Sequence, residues 1–135
     1  MVADGPGVIL LDTCILIQLA NGTLPGSMRA NLVGHGQWTV SALSAWEIGI
    51  KQSLGKLPLR KPMDSWWQTL IQDLSLRVES FTDRQAVRAG GLPPVHADPF
   101  DRGIIATALD LNVPLATVDT VFAGYCAPTG LRLVG

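Results

Sequence analysis

Charged side chains are scarce in this chain. They make up 16% of its 135 residues, against about 25% in an ordinary soluble protein. Because hydrophobic residues account for 47%, an ionisable group between apolar neighbours costs free energy unless something compensates its charge. The net charge of −1 gives no general attraction to polyanions, so binding of nucleic acid would require bound cations or a local basic patch.

Cysteine is also rare, and long apolar runs are lacking. Cys14 and Cys126 show no Cys-x-x-Cys spacing, which argues against a zinc site or a disulfide framework and favours buried thiols in a reducing cytosol. The apolar run from Val8 to Ala20 contains Asp12 and is shorter than the roughly 20 residues that span a bilayer. No basic residue precedes Arg29, so a secretion signal is not expected. We expect a soluble, cytoplasmic protein with no membrane partner.

The apolar segments predict one domain in which strands alternate with helices. Residues 1–7 include two glycines and a proline and are expected to form a flexible leader, whereas residues 8–135 suit a single core. Parallel pairing through right-handed crossovers predicts a three-layer α/β/α sandwich with a mostly parallel sheet. Strands are predicted at 8–11, 38–40, 76–81, 115–118 and 131–134, and helices at 13–20, 42–54, 62–74, 82–89 and 99–111.

Two acids lie inside otherwise apolar segments of the first half of the chain. Asp12 follows the first strand, at the end where open α/β sheets bind ligands, but aspartate is also a preferred N-cap. Glu47 is expected to point inward, because it belongs to an apolar helical stripe formed by Leu43, Glu47, Ile50, Leu54 and Leu57. The alternative for Glu47 is a capping box that starts at Ser44. Ser41 is the better helix start, so we favour the inward interpretation.

Three further candidate acids, Asp98, Asp101 and Asp119, lie in the second half of the chain. Asp98, followed by Pro99, has a sufficient role as a helix N-cap. Asp101 shares the buried face of that helix with Ile104, although it would also interact favourably with the helix dipole. Asp119 follows the strand at 115–118 and so repeats the placement of Asp12, but by itself it is also an ordinary turn residue.

The pattern therefore predicts a cluster of carboxylates, Asp12, Glu47, Asp101 and Asp119, at one edge of the sheet. Mutual repulsion would raise the pKa values of these acids unless a cation lay between them. Oxygen ligands without histidine or cysteine suit Mg²⁺, or alternatively Mn²⁺, better than zinc. A cation bound in this way would neutralise phosphate charge and lower the pKa of an attacking water, which indicates phosphodiester hydrolysis.

The order of the motifs resembles that of PIN-domain nucleases, and specifically of the VapC-type toxins of bacterial toxin–antitoxin pairs. The resemblance runs from Val8 to Val134, and its motifs are Leu10-Leu11-Asp12-Thr13, Ser41 to Glu47 with Ile50-Lys51, His96-Ala97-Asp98-Pro99-Phe100-Asp101-Arg102, and Ala116-Thr117-Val118-Asp119-Thr120-Val121-Phe122. It implies a PIN-like fold and a magnesium-dependent endoribonuclease that acts on RNA, is inhibited by a VapB-like antitoxin and forms a homodimer.

The resemblance also implies roles for individual residues. Asp12, Glu47 and Asp101 match the three acidic positions of the family, and Asp119 matches its more variable fourth. Small hydroxyl positions that orient carboxylates or water correspond to Thr13 and Thr117. Asp98 is better explained as a helix cap than as a metal ligand, although it is close enough in sequence to share the role of Asp101.

Residues around the acids have less specific interpretations. Lys51 and Arg102 are expected to contact substrate, with a solvated face as the alternative for Lys51 and pairing with Asp101 as the alternative for Arg102. Trp66 and Trp67 cannot both face the core from one helix, so one is expected at a partner contact. The isolated histidines, His35 and His96, are interpreted as loop residues rather than ligands or catalysts.

Other functional classes fit less well. A phosphoacceptor receiver domain would need a lysine after a late strand, but the last lysine is Lys61, and a haloacid-dehalogenase-like phosphatase would need an acid at position 14, where Cys14 stands. Two alternatives stay open: a PIN-like RNA-processing nuclease without an antitoxin, and a catalytically silent interaction module. The intact acids argue against the second.

Overall fold

The computed structural model describes residues 7–135, which form a parallel sheet of five strands in the order β3-β2-β1-β4-β5. The strands are β1 (Val8–Leu11), β2 (Gln37–Ser41), β3 (Arg77–Glu79), β4 (Leu115–Ala116) and β5 (Leu133–Val134). Every pairing is parallel, and β5 forms one edge, so the predicted sheet is confirmed. The predicted leader, apart from Gly7, lies outside the described residues.

Helices connect the strands at most of the predicted positions. They are α1 (Thr13–Asn21), α2 (Gly26–Val33), α3 (Ala42–Ser53), α4 (Met63–Leu74), α5 (Asp83–Gly90), α6 (Pro99–Leu111), a 3-10 helix (Thr120–Tyr125) and α7 (Cys126–Thr129). The sequence did not predict α2, the 3-10 helix or α7. Helix α2 starts after Pro25, which makes no side-chain cap hydrogen bond, so a start signal is lacking there.

The sheet is covered on both faces, as the alternation along β1 shows. Ile9 and Leu11 join a core with α1, α2 and α4, whereas Leu10 joins a second core with α6 and the C-terminal segments. Because successive strand residues point to opposite faces, the two cores lie on opposite sides of the sheet. The three-layer arrangement is therefore confirmed.

Helices α3 and α6 approach each other closely at Gly103. A Cβ atom at this position would lie 2.4 Å from Leu43 Cδ1 and 3.3 Å from Phe81 Cε1. Glycine in mid-helix costs roughly 1 kcal/mol relative to alanine, and the close packing of the two helices explains why it is present. Gly103 thereby brings α3 and α6, which carry Glu47 and Asp101, together.

We expect Gly103→Ala to lower the free energy of unfolding by about 1–2 kcal/mol, because the added methyl group overpacks the α3–α6 contact. Gly49→Ala is the matched control, since a Cβ there meets only Met63 Cγ, at 3.9 Å. The Gly49→Ala variant should be as stable as the wild type or more stable, because alanine has a higher helix propensity than glycine. Urea unfolding of the two variants checks the prediction, and equal shifts would contradict it.

Among the described residues, no helix has the length and apolar character needed to cross a membrane.

Candidate metal centre

Asp12 lies where the central strand β1 ends, between β2 on one side and β4 on the other. The chain order reverses at this strand, and in open α/β sheets ligands bind in the crevice at such a point. Asp12 is also the N-cap of α1, because its Oδ1 accepts a hydrogen bond from Thr13 N at 2.8 Å. The cap and the site are thus compatible roles of one residue.

The Asp12 carboxylate is buried, at 4% exposure, and is fixed by two further donors. Thr117 Oγ1 donates to Oδ2 at 2.7 Å and Cys14 Sγ donates to it at 3.1 Å. These hydrogen bonds favour the ionised form, but burial outweighs them and raises the pKa of Asp12, with a further contribution from Glu47. The structure therefore holds this carboxylate in a fixed orientation where its negative charge is unfavourable.

The two threonines predicted to support the acids are placed differently. Thr117 contacts Asp12 directly, because Leu11 pairs with Ala116 in the sheet and the next residues lie side by side. Thr13 offers its backbone N–H to Asp12, whereas its hydroxyl lies 2.9 Å from Ser44 Oγ on α3. Thr13 consequently connects the Asp12 turn to the helix that carries Glu47.

Helix α3 begins as predicted, so Glu47 lies in its second turn. Ser41 is the N-cap, with Oγ accepting from Leu43 N at 3.1 Å. A capping box that starts at Ser44 is therefore excluded. Glu47 is buried at 7% exposure, as its place on the apolar stripe predicts.

Glu47 has one oxygen with a partner and one without. Oε2 lies 3.1 Å from Lys51 Nζ, whereas Oε1 is buried and makes no hydrogen bond to any described residue. Leaving a buried carboxylate oxygen without a partner costs free energy, and native proteins rarely do so unless a ligand or ion completes the site. Glu47 Oε1 is therefore suited to binding a cation.

The contacts between α3 and α6 place Glu47 near the start of α6. Leu43 meets Gly103, and Trp46 meets Phe100 with ring centroids 5.1 Å apart. Leu43 precedes Trp46 along α3, whereas their partners occur in the opposite order along α6. The two helices therefore run antiparallel at this contact. Glu47 consequently lies beside the first turn of α6.

Asp98 is the N-cap of α6, as predicted, because its Oδ1 accepts from Phe100 N at 2.8 Å and from Asp101 N at 3.2 Å. It also lies close to Asp101, in keeping with the alternative that it shares the role of that residue. One ligand atom each from His96, Asp98 and Asp101 lie within 4.8 Å of one another, a separation that allows them to bind a common ion. Asp98 therefore both caps α6 and lies next to the other acids.

His96 is the residue of this site that the sequence interpretation missed. Its Nε2 lies 2.8 Å from Asp101 Oδ2, although the sequence suggested only a loop residue. His96 belongs to no helix or strand, so no periodicity could place it. One signal in the sequence could have indicated the role of His96. His96 lies just before Asp98-Pro99, where α6 begins, and this position places it near the first turn of α6.

Asp101 lies close enough to three other acids for their charges to raise its pKa. This pKa is raised from 3.8 to about 6, mainly by burial and then by the charges of Asp98, Asp12 and Glu47, while the hydrogen bond with His96 opposes the rise. Four carboxylates thus repel one another at this edge of the sheet. A divalent cation would relieve the repulsion.

Asp119 lies apart from this group. It is exposed and caps the 3-10 helix, with Oδ1 accepting from Val121 N at 3.0 Å. Its link to the buried acids is indirect, since its backbone N donates to Thr117 Oγ1, the hydroxyl that donates to Asp12. The role of Asp119 as a fourth acid remains a prediction.

The basic residues near the acids are already engaged. Arg102 donates to backbone carbonyl oxygens, including those of Ala89 and Leu92 at 2.9 Å and Pro93 at 3.0 Å. Arg102 therefore binds the end of α5 and the loop before α6 rather than Asp101, and its predicted substrate contact gains no support. Lys51 pairs with Glu47 but stays 44% exposed, so it remains accessible.

The exposed tryptophan is Trp46 rather than one of the two expected at a partner contact. Trp66 and Trp67 are both half-buried against the core, so the expectation that they could not both face it was wrong. Together with Leu70, Ile71 and Leu74 they form one broad apolar stripe along α4. Trp46 is 63% exposed and meets Phe100 edge-to-face. Since Trp46 precedes Glu47 and Phe100 precedes Asp101, this aromatic pair borders the acids.

Comparisons with known proteins identify the family and the fold of this chain. The sequence matches the PIN domain family over residues 9–127, and no curated protein matches it. Similar solved structures include VapBC2 from Rickettsia felis bound to a DNA fragment from their promoter, at 18% identity and a TM-score of 0.71 over 94% of this chain and 97% of that one. A toxin–antitoxin complex from Klebsiella pneumoniae matches at 21% identity and a TM-score of 0.65, over 94% and 96%. VapBC-5 from Mycobacterium tuberculosis matches at 14% identity and a TM-score of 0.65, over 96% and 98%. The chain belongs to the PIN-domain family, a family of nucleases.

Proposed function

We propose that this protein is a magnesium-dependent endoribonuclease and the toxin of a toxin–antitoxin pair. The observation that carries the proposal is the group of acids at the end of β1, in which Glu47 Oε1 is buried without a hydrogen-bond partner among the described residues. Membership of the PIN-domain family supports nuclease chemistry. Similarity of fold to VapBC complexes supports the toxin role.

The donor set fits a hard divalent cation. Asp12, Glu47 and Asp101 would hold Mg²⁺, or Mn²⁺ in its place, with Asp98 within reach and Asp119 at the rim. When bound, the ion would neutralise phosphate charge and lower the pKa of an attacking water. The protein's own part is to fix the ligands: three donors orient Asp12, and the α3–α6 contact sets Glu47 against α6.

The proposed partners are an RNA substrate, a VapB-like antitoxin and a second copy of the chain in a cytoplasmic homodimer. The similar structures are complexes of toxin with antitoxin, which motivates the antitoxin proposal. An RNA-processing PIN nuclease without an antitoxin is the alternative. Co-purification with the product of a small adjacent reading frame would distinguish the two.

Incubating the purified, antitoxin-free chain with total RNA tests the proposed activity. We expect fragments in the presence of Mg²⁺, none with excess chelator, and recovery when Mg²⁺ is restored, since phosphodiester cleavage would require the ion. Persistent cleavage in chelator would rule out the metal mechanism. Intact RNA under all of these conditions would instead favour a silent interaction module.

We expect Trp46→Ala to raise the KM for RNA by about 10-fold with little change in kcat, because stacking of a base on an exposed aromatic ring stabilises binding of single strands. The exposed ring borders the acids, so a base next to the scissile phosphate could reach it. Leu54→Ala is the matched control: Leu54 is also 63% exposed and caps the far end of α3. Equal KM values for the two variants would contradict a substrate contact.

A further inference from the structure

We propose that His96 is a positioning residue for Asp101, and that Tyr125 and Arg102 hold it in place by a clamp on its backbone. The inference rests on the proposed function, because it assigns Asp101 to cation binding. It extends that function to His96, Arg102 and Tyr125. Although His96 lies close enough to share an ion with Asp98 and Asp101, we assign it a positioning role, because its Nε2 is already engaged by Asp101 Oδ2 at 2.8 Å.

One hydroxyl group binds both backbone polar groups of His96. Tyr125 Oη accepts a hydrogen bond from His96 N at 2.9 Å and donates one to His96 O at 3.1 Å. Tyr125 is fully buried, at 0% exposure, so its ring is held by the core and its hydroxyl has a fixed position. The backbone of His96 is thereby attached to the interior of the protein.

Arg102 fixes the same loop from α6. Its Nη1 donates to His96 O at 3.3 Å and to Pro93 O at 3.0 Å, while its Nη2 donates to Ala89 O and Leu92 O, both at 2.9 Å. The planar guanidinium group holds these carbonyl groups in one rigid arrangement. Because Arg102 is next to Asp101 in sequence, these hydrogen bonds fix the position of the His96 loop relative to the first turn of α6.

The imidazole of the clamped residue engages one oxygen of Asp101. Nε2 lies 2.8 Å from Oδ2, with the His96 side chain 30% and the Asp101 side chain 15% exposed. A hydrogen bond on Oδ2 restricts rotation of the carboxylate and leaves Oδ1 for a cation. Such contacts to metal-ligating groups orient the ligand, and their loss typically costs about 10–100-fold in metal affinity or activity.

Mn²⁺ binding to His96→Ala and His96→Gln, followed by the electron paramagnetic resonance signal of free Mn²⁺, tests the proposal without requiring activity. We expect His96→Ala to weaken Mn²⁺ binding by about 10-fold or more at a nearly unchanged melting temperature. His96→Gln should recover most of the affinity, because the amide N–H can donate to Asp101. Unchanged affinity in His96→Ala, or a glutamine variant as weak as the alanine variant, would overturn the positioning role.

The clamp is tested by a double-mutant cycle with Tyr125→Phe, which removes only the hydroxyl. Tyr125→Phe alone should weaken Mn²⁺ binding by several-fold, whereas in the His96→Ala background it should add almost nothing, since the two residues act as one unit. Additive effects would overturn the clamp. If the wild-type chain binds no Mn²⁺, the proposed function itself fails; wild-type binding with an unaffected His96→Ala variant defeats only this inference.

Discussion

Asp12→Asn is expected to lower the rate of RNA cleavage by about 1,000-fold or more while leaving the fold intact, because an amide cannot replace a charged metal ligand. The asparagine keeps an oxygen that can accept from Thr13 N, so the cap of α1 survives. The amide NH2 replaces Oδ2 and so loses the hydrogen bonds donated by Thr117 and Cys14, but removing a buried charge offsets this cost, and the metal-free chain should stay folded. Single-turnover cleavage and thermal unfolding of the same preparation measure both effects.

Asp73→Asn is the control for this prediction, since Asp73 is exposed on α4. This substitution should change neither the cleavage rate nor the stability. Cleavage by Asp12→Asn at a rate near that of the wild type, in Mg²⁺, would exclude Asp12 from the chemistry. Loss of activity together with loss of the folded state would show instead that Asp12 acts mainly as a cap.

The stability of the metal-free protein is expected to fall as the pH rises from about 4 to beyond 6. In the folded chain the pKa of Asp101 is raised from 3.8 to about 6, so between these values the folded state binds more protons than the unfolded state. Stability then decreases with rising pH, by on the order of 2 kcal/mol from Asp101 alone. The raised pKa of Asp12 acts in the same direction.

Urea unfolding at pH 5 and pH 7.5, with chelator and with Mg²⁺, measures this dependence. The difference between the wild type and Asp101→Asn isolates the contribution of Asp101, and the variant should be the more stable protein at pH 7.5 without metal. Mg²⁺ should remove most of the wild-type loss, since it binds only the folded state. If the wild type were more stable than Asp101→Asn at pH 7.5 in chelator, the result would contradict repulsion among these acids.

Local cap chemistry is the part of the structure that the sequence predicted best. Ser41 and Asp98 start α3 and α6 as expected, because capping depends on a few consecutive residues. The same holds for β1, whose buried run ends at Asp12. Once the start of α3 was predicted, helical periodicity alone indicated that Glu47 points inward.

Features that depend on tertiary contacts were not predictable. His96 and Asp101 are brought together by loop carbonyls that bind Arg102 and Tyr125, and no periodic pattern records such contacts. Asp119 was expected directly after a strand, but β4 ends at Ala116. Thr117 therefore occupies the place beside Asp12, and Asp119 lies farther along, at the exposed rim.

Calorimetric titration of the metal-free chain with Mg²⁺, for the wild type and for Glu47→Gln, tests the central claim most directly. Glu47→Gln keeps the size of the side chain but removes the charge of the carboxylate that has an unpartnered oxygen. We predict Mg²⁺ binding by the wild type and a loss of affinity of at least about 10-fold in the variant. Equal Mg²⁺ affinity in the two proteins, or no binding by the wild type, would contradict a metal centre built on these acids.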